Sequence, residues 1–448
     1  MSLTEALISA QSEVLSRNLH RLVAEGKVPG IGAVIVIGEK RIAAFAGQED
    51  FGTGIALSAT SSFETSCLMK FLVSLAIWRL IGHGKLDLNT PLGELFPDLK
   101  ALAPERAAKV QVKHLLSHTA GYRGLDISRP EVRWQQNWPK FLNHFHSAPQ
   151  SFPPGMVFNY EHSEHVLLGK IIEHVTGISA QDFVFENFLD PLKISSNANP
   201  PSTTGYARQG AAEFLALRRA SPGSFWNSSL SPRGITLDDV AHIGRAVSST
   251  FFSRAYIPSL LMAPFVSFPK TYGSSPVEYM PASFGLSCAQ YGPDVIGHNF
   301  STAGQSCSLR ILPLQDVAIA VGINCWAPEV RDAVTEWILG AFISREVQRA
   351  INKKIDASAL FGEFQPDQLC GTYLGSYESQ ILVEWDNDEL RAFVPSRGGK
   401  NTIFSVRLGA DGFAEIEHKR PVATGFFGSP DDISKPCLMI GLNAYKRF

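Results

Sequence analysis

The chain has 448 residues, 40 Lys plus Arg against 42 Asp plus Glu, a formal net charge of −2 and 45% hydrophobic residues, which excludes disorder as its dominant state. Its length allows about two to four units and a sizeable buried core. So near-neutral a balance creates no long-range field to gather DNA, RNA or an anionic membrane, so neither nucleic acid nor membrane is an expected partner.

In chain order, Leu7, Val14, Leu15, Leu19, Leu22 and Val23 recur at helical spacing and predict an amphipathic helix over Leu3–Glu25, stopped by Gly26. Ile31–Ile37 and Arg41–Ala46 are β-rich runs around Gly38-Glu39-Lys40 and predict a hairpin. Cys67–Ile81 is apolar on nearly every side before Gly82 and Gly84, as expected of a helix buried within a domain. Short helical patches follow at Val110–Ser117 and at Val166–Val175, the latter capped by Gly177. Residues 190–235, rich in Pro, Ser, Gly and Asn, suggest irregular structure and a possible lid. Thr236–Ser248 is helical, Gly304–Leu312 and Asp316–Ile323 read as paired strands, and Val330–Ile343 as a closing helix.

After a linker over 346–366, the runs Gly371–Leu374, Gln380–Trp385, Leu390–Val394, Thr402–Leu408 and Ala414–His418, split by turn residues, suggest a small β-barrel. The six cysteines form no C-x-x-C pair and none sits near His at zinc-ligand spacing, so no metal is expected. Met1–Ala10 carries Glu5 and no basic, then apolar, leader. The apolar run Phe71–Trp78 falls well short of the roughly 20 residues of a membrane span. The expectation is a cytoplasmic protein with reduced thiols.

Three separated segments fit one reaction. In Phe63-Glu64-Thr65-Ser66-Cys67-Leu68-Met69-Lys70 the spacing puts Cys67 and Lys70 on one face at the N-terminal end of the buried helix, where the dipole favours an anion. A thiol beside an ammonium there is expected to ionise more readily than a free cysteine. The bland alternative is a core Cys67 and a solvated Lys70, and a lysine inside so apolar a helix weighs against it. Tyr160, on a loop before an apolar helix, could pass a proton to a leaving group or pack half-buried. Gly297-His298-Asn299-Phe300-Ser301 stands where a strand should begin, and His298 could serve there or be an ordinary satisfied histidine.

Together these segments resemble the serine β-lactamase and penicillin-binding-protein superfamily, in its class C, esterase and D-aminopeptidase branch, whose pattern is S-x-x-K, Y-x-N, then K-T-G or H-x-G. The likeness also takes in Val112–Tyr122, the Pro153-Pro154-Gly155 turn and Leu167–Glu173, and spans roughly residues 10–345. It implies an α+β fold: an antiparallel sheet flanked by helices, with an α-helical subdomain, over residues 1–345. A lipocalin-like β-barrel would follow over 367–448, able to shape a substrate channel or to act as a structural appendage.

By the same resemblance Cys67 stands at the nucleophile position, Lys70 at the base, Tyr160 at the second proton carrier and His298 at the cationic or polar head of the third motif. The backbone N–H groups of Cys67 and Ser301 would form the oxyanion hole. His162, Asn299 and Phe300 occupy substrate-facing positions, and His114 and His118 are structural.

Three departures stand out: Cys67 replaces Ser, His162 replaces Asn, and Phe300 sits where Gly lets a ligand approach the strand. Ser66 lies about 100° round the helix from Cys67 and is a poor substitute. A thiol is intrinsically nucleophilic, and its thioester is attacked by amines readily relative to water. The first reading is therefore acyl transfer from an ester or amide to an amine or alcohol, with no cofactor and a small-molecule or peptide-like acyl substrate. Hydrolysis of an ester, small amide or D-amino-acid peptide is the second. A silent binding protein, or a Cys introduced to trap an intermediate, is the third. Trp134, Trp138, Phe225 and Trp226 flank the expected cleft, and nothing in the sequence fixes the oligomeric state.

Overall fold

The computed structural model describes residues 3–65, 67–122, 138–194, 201–217, 234–247, 266–267, 283–284, 289–292, 295–302, 304–342, 366–374, 380–386, 389–394, 402–408, 414–417, 424–429, 432–440 and 443–447. In chain order the helices are α1 (Leu3–Ala24), α2 (Leu68–Gly82), α3 (Leu92–Leu95), α4 (Pro97–Leu102), α5 (Pro104–Lys109), α6 (Val112–Leu116), α7 (Trp138–Ser147), α8 (Ser163–Thr176), α9 (Ala180–Val184), α10 (Leu237–Ala246) and α11 (Pro328–Phe342). The strands of the first part are β1 (Gly30–Ile37), β2 (Lys40–Gly47), β3 (Ser62–Glu64), β4 (Tyr206–Gly210), β5 (Glu213–Ala216), β6 (Gly234–Thr236), β7 (Val266–Ser267), β8 (Ser283–Phe284), β9 (Ala289–Gly292), β10 (Val295–Thr302), β11 (Gln305–Leu312) and β12 (Val317–Ile323). Two compact units emerge: Met1–Trp78, Ile178–Met262 and Cys288–Asn352 in the first, Arg79–Gly177, Ala263–Ser287 and Lys353–Phe448 in the second.

The first unit is built on an antiparallel sheet in the order β2-β1-β12-β11-β10-β9. β11 and β12 are buried at every position, as the run Val317-Ala318-Ile319-Ala320-Val321 dictates for a strand covered on both faces. α10 packs on the face that carries Leu309, Ile311 and Ala318, and Gly244 makes that approach possible: a Cβ there would meet Leu309 at 2.9 Å. α11 lies on the opposite face, where Thr335 and Ser308 share a 2.9 Å hydroxyl contact. Thr236 caps α10 by accepting from Asp239 N–H. α2 is buried nearly all round: Phe71, Leu72, Val73, Leu75, Ala76 and Ile77 have no exposed surface, each larger side chain contributing about 1.5–3 kcal/mol by leaving water.

The predicted hairpin, buried helix, paired strands and closing helix are all present within a residue or two. The stretch over 190–235 differs: its described part contains the β4–β5 hairpin. That hairpin carries Arg208, Gln209 and Glu213, so it lacks the apolar alternation by which a strand is read. The rest of that stretch, residues 195–200 and 218–233, lies outside the described residues, as do Ser66, Trp134, Phe225, Trp226 and the linker over 346–365.

In the second unit α6 packs against α8, and α8 ends at Gly177, whose φ of 78° makes it the left-handed cap expected there. Trp138 is a packing residue, stacked on Phe141 at 5.2 Å and tilted against Phe96. At the C-terminal end, β13 (Gly371–Leu374), β14 (Gln380–Asp386), β15 (Glu389–Val394), β16 (Thr402–Leu408), β17 (Ala414–Glu417), β18 (Thr424–Ser429), β19 (Asp432–Ile440) and β20 (Asn443–Arg447) form one antiparallel sheet. Its order, β17-β16-β15-β14-β13-β20-β19-β18, is a meander whose first strand pairs with its last. That is the strand order of an up-and-down barrel, broken between β17 and β18. Five of these strands are legible in the sequence; Gly425 and Gly428 conceal β18 and Pro436 conceals β19, and β20 is short and polar.

Candidate active site

Cys67 opens α2. Its carbonyl accepts from the Lys70 N–H at 3.0 Å, and this first turn brings the Lys70 ammonium back to the sulfur, with Nζ donating to Sγ at 3.5 Å. Cys67 is 9% exposed and Lys70 2%. A buried ammonium is costly without a partner, and the thiol sulfur lies within its hydrogen-bond reach.

His298 lies in the middle of β10, not at the start of a strand, paired with Leu309. Residues alternate across a strand, so β10 sorts its own residues. His298 and Phe300 share the α10 face of the sheet, while Asn299 and Ser301 point to the α11 face. There Arg310 Nη1 donates to Asn299 Oδ1 at 2.8 Å and Arg331 Nη1 to Ser301 Oγ at 3.4 Å. Arg331 in turn makes two bonds to Asp332. The Asn299 side chain is thus turned to a buried arginine cluster, and Phe300, 1% exposed, is part of the core. Only the backbone of Ser301 is asked for by the oxyanion assignment, and its side chain is free to face the other way. β9 pairs with β10 only as far as Gly297 among the described residues.

Burial, the Lys70 charge and the Arg310 charge push His298 down to about 4, against an ordinary value of 6.5. At neutral pH it is a polar, uncharged head rather than a cationic one. Cys307 is a fully buried thiol, and burial pushes it up to about 12. The first unit therefore brings together Cys67, Lys70 and His298.

The second unit holds Tyr160 and His162, at the entry to α8. Tyr160 is half-buried, its ring 5.8 Å from that of His162 in an edge arrangement. His162 takes the N-cap position of α8. Glu161 bends back so that Oε1 accepts from the N–H of His162 at 2.8 Å and of Ser163 at 3.3 Å, a carboxylate placed where a helix start favours one. His118 is buried there too, with Nδ1 2.6 Å from Glu164 Oε2. The sequence signal for Glu161 and Glu164 is weak: one carboxylate just before the N-cap of an apolar helix and one in its first turn. No group of three or more His, Cys, Asp or Glu could hold a metal ion among the described residues. No helix there is long and apolar enough to cross a membrane.

A profile of the Beta-lactamase family matches residues 15–340. The chain is 26% identical to Penicillin-binding protein 4 of Amycolatopsis lactamdurans over 321 residues, 68% of this chain and 82% of that protein. It is 24% identical to Protein flp of Staphylococcus aureus, of whose length the match spans about half, 49%. Among solved structures SurE aligns with a TM-score of 0.73 at 20% identity, covering 98% of this chain and 99% of that one, and the same protein is also solved with D-Leu. D-amino acid amidase from Ochrobactrum anthropi SV3 aligns at 0.58 and 20% identity over 73% of this chain and 98% of its own.

Proposed function

The chain belongs to the Beta-lactamase family, and from that premise we propose that it forms an acyl-enzyme on Cys67 and passes the acyl group to an amine or alcohol. The observation that carries this reading is the buried 3.5 Å approach of Lys70 Nζ to Cys67 Sγ. Transfer of the thiol proton to Lys70 leaves the ammonium that stands 3.5 Å from the sulfur, and the thiolate attacks the carbonyl carbon of an ester or amide. The negative charge that develops on the carbonyl oxygen is met by the backbone N–H groups of Cys67 and Ser301, where the loss of one such donor costs about 3–4 kcal/mol. The C–O or C–N bond breaks, and the leaving alcohol or amine departs with a proton carried by Tyr160, the residue at the second motif position. An acceptor amine or alcohol then gives its proton to the Tyr160 oxygen, restoring the phenol, attacks the thioester carbon and releases the thiolate. His298, neutral, orients rather than charges the site. Each step is acid–base or covalent chemistry on this chain's own residues.

Hydrolysis is the second reading, favoured by the amidase and amidohydrolase names of several solved neighbours. Because D-residues recur in those names, a D-aminoacyl ester is the first donor to offer. Turnover of such an ester is measured against rising concentrations of a D-amino acid amide. Acyl transfer predicts an amide product that grows with acceptor at the expense of free acid, all lost in Cys67→Ala. Free acid alone at every acceptor concentration selects hydrolysis.

A further inference from the structure

We propose that His118 is a positioning residue for Tyr160, holding the tyrosine's backbone and ring together in its working orientation. The role of Tyr160 rests on the acyl-enzyme reading; the clamp rests on geometry within residues 118–165. His118 adopts φ 54°, one of four non-glycine residues with positive φ among the described residues, a conformation that bulky side chains adopt only when the surroundings enforce it. Glycine would hold the same φ without strain, so what the strain supports is the imidazole. Backbone and ring of His118 act on the same segment.

Its backbone carbonyl holds one side of Tyr160, accepting from the Asn159 N–H at 2.8 Å, and its ring covers the other, with Glu161 N 3.1 Å from Nδ1, the nitrogen that donates to Glu164. The ring itself lies 4.5 Å from the Tyr160 ring, tilted by 43°. Behind it Glu164 fixes the imidazole, with Oε2 2.6 Å from Nδ1, while Glu164 Oε1 accepts from Ala120 N–H at 3.2 Å. Phe158 closes one flank edge-on at 5.7 Å and His165 the other at 4.8 Å. A histidine kept only to fill space would need one partner. This one contacts Asn159, Tyr160 and Glu161 in succession, a run that includes the first two residues of the second motif.

The test compares the full-length chain with His118→Gly, His118→Asn, Tyr160→Phe and the His118→Gly/Tyr160→Phe pair. Readouts are amide hydrogen exchange at Asn159 and Glu161, and kcat and KM with a D-aminoacyl p-nitrophenyl ester. Glycine keeps the φ and removes the ring; asparagine tolerates the φ and restores a short hydrogen-bonding group, so misfolding and loss of the clamp separate. Expected in His118→Gly are exchange at least tenfold faster at Glu161, whose amide the ring covers, with Asn159, bonded to a carbonyl that glycine keeps, and other amides of residues 79–177 unchanged, and kcat at least tenfold lower with KM within twofold. Asparagine should recover most of the kcat loss, and in Tyr160→Phe the glycine should add less than a further twofold. Wild-type exchange and kcat in His118→Gly would overturn the proposal, as would losses that multiply in the pair. The exchange arm needs no turnover: a wild-type kcat in Tyr160→Phe alone removes the proton-carrier role of Tyr160 and leaves the clamp to be judged by exchange.

Discussion

The six cysteines look alike in composition, yet their surroundings differ sharply. Cys67 meets an ammonium at 3.5 Å, whereas Cys307, 1% exposed, is driven by burial toward the neutral thiol. The C-x-x-K spacing made the first pairing legible, because three residues on a helical turn bring two side chains to one face. Asn299 was not legible in the same way: a short motif does not state which face of the sheet each residue takes, and register with β11 turns Asn299 toward Arg310. His298 and His114 also yield a prediction about stability. Burial lowers both to about 4, with the neighbouring Lys70 and Lys113 charges adding to the effect. Between pH 6.5 and 4 the unfolded chain binds these protons and the folded chain does not, so stability falls as pH drops through that window. Each histidine contributes about 3 kcal/mol over it. Denaturant unfolding from pH 7 to pH 4 should show that fall, and His298→Gln should make it shallower; an unchanged slope in the variant would contradict the buried neutral histidine.

Elements whose sequence carries a strong period were read with nearly their true bounds, as with the stripe of α1 and the β-branched run of β1. Those whose stability comes from packing against distant partners were not: β4 is largely polar and β5 short and without alternation, and β18 and β19 are interrupted by glycine and proline. Gly304, in the turn from β10 to β11, shows how closely such partners fit. At φ 80° a Cβ would sit 2.3 Å from Tyr206 N and 2.4 Å from Gly205 C, so both backbone strain and a clash oppose any side chain. Gly304→Ala is expected to lose about 1–3 kcal/mol to φ alone, with the clash in addition. Gly52, at φ 90° with nothing within 4 Å, supplies the control. Thermal melts should show Gly304→Ala falling well below Gly52→Ala; equal melting points would mean that the turn does not press on residues 205–206.

At the scale of the whole molecule, the eight described C-terminal strands pair among themselves, and whether residues 367–448 separate from residues 1–345, as the sequence leads one to expect, is a question for truncation. A chain ending at residue 345 is expected to melt cooperatively and to keep a reactive Cys67 while its substrate range changes; failure to fold would contradict that boundary. The central claim is the covalent step. Its most direct measurement is the intact mass of the protein quenched after mixing with a D-aminoacyl ester, followed by peptide mapping. The account predicts one added acyl mass, carried by the peptide containing Cys67 and not by that containing Cys307, and absent from Cys67→Ala. No adduct on Cys67, together with unchanged turnover in Cys67→Ala, would contradict it.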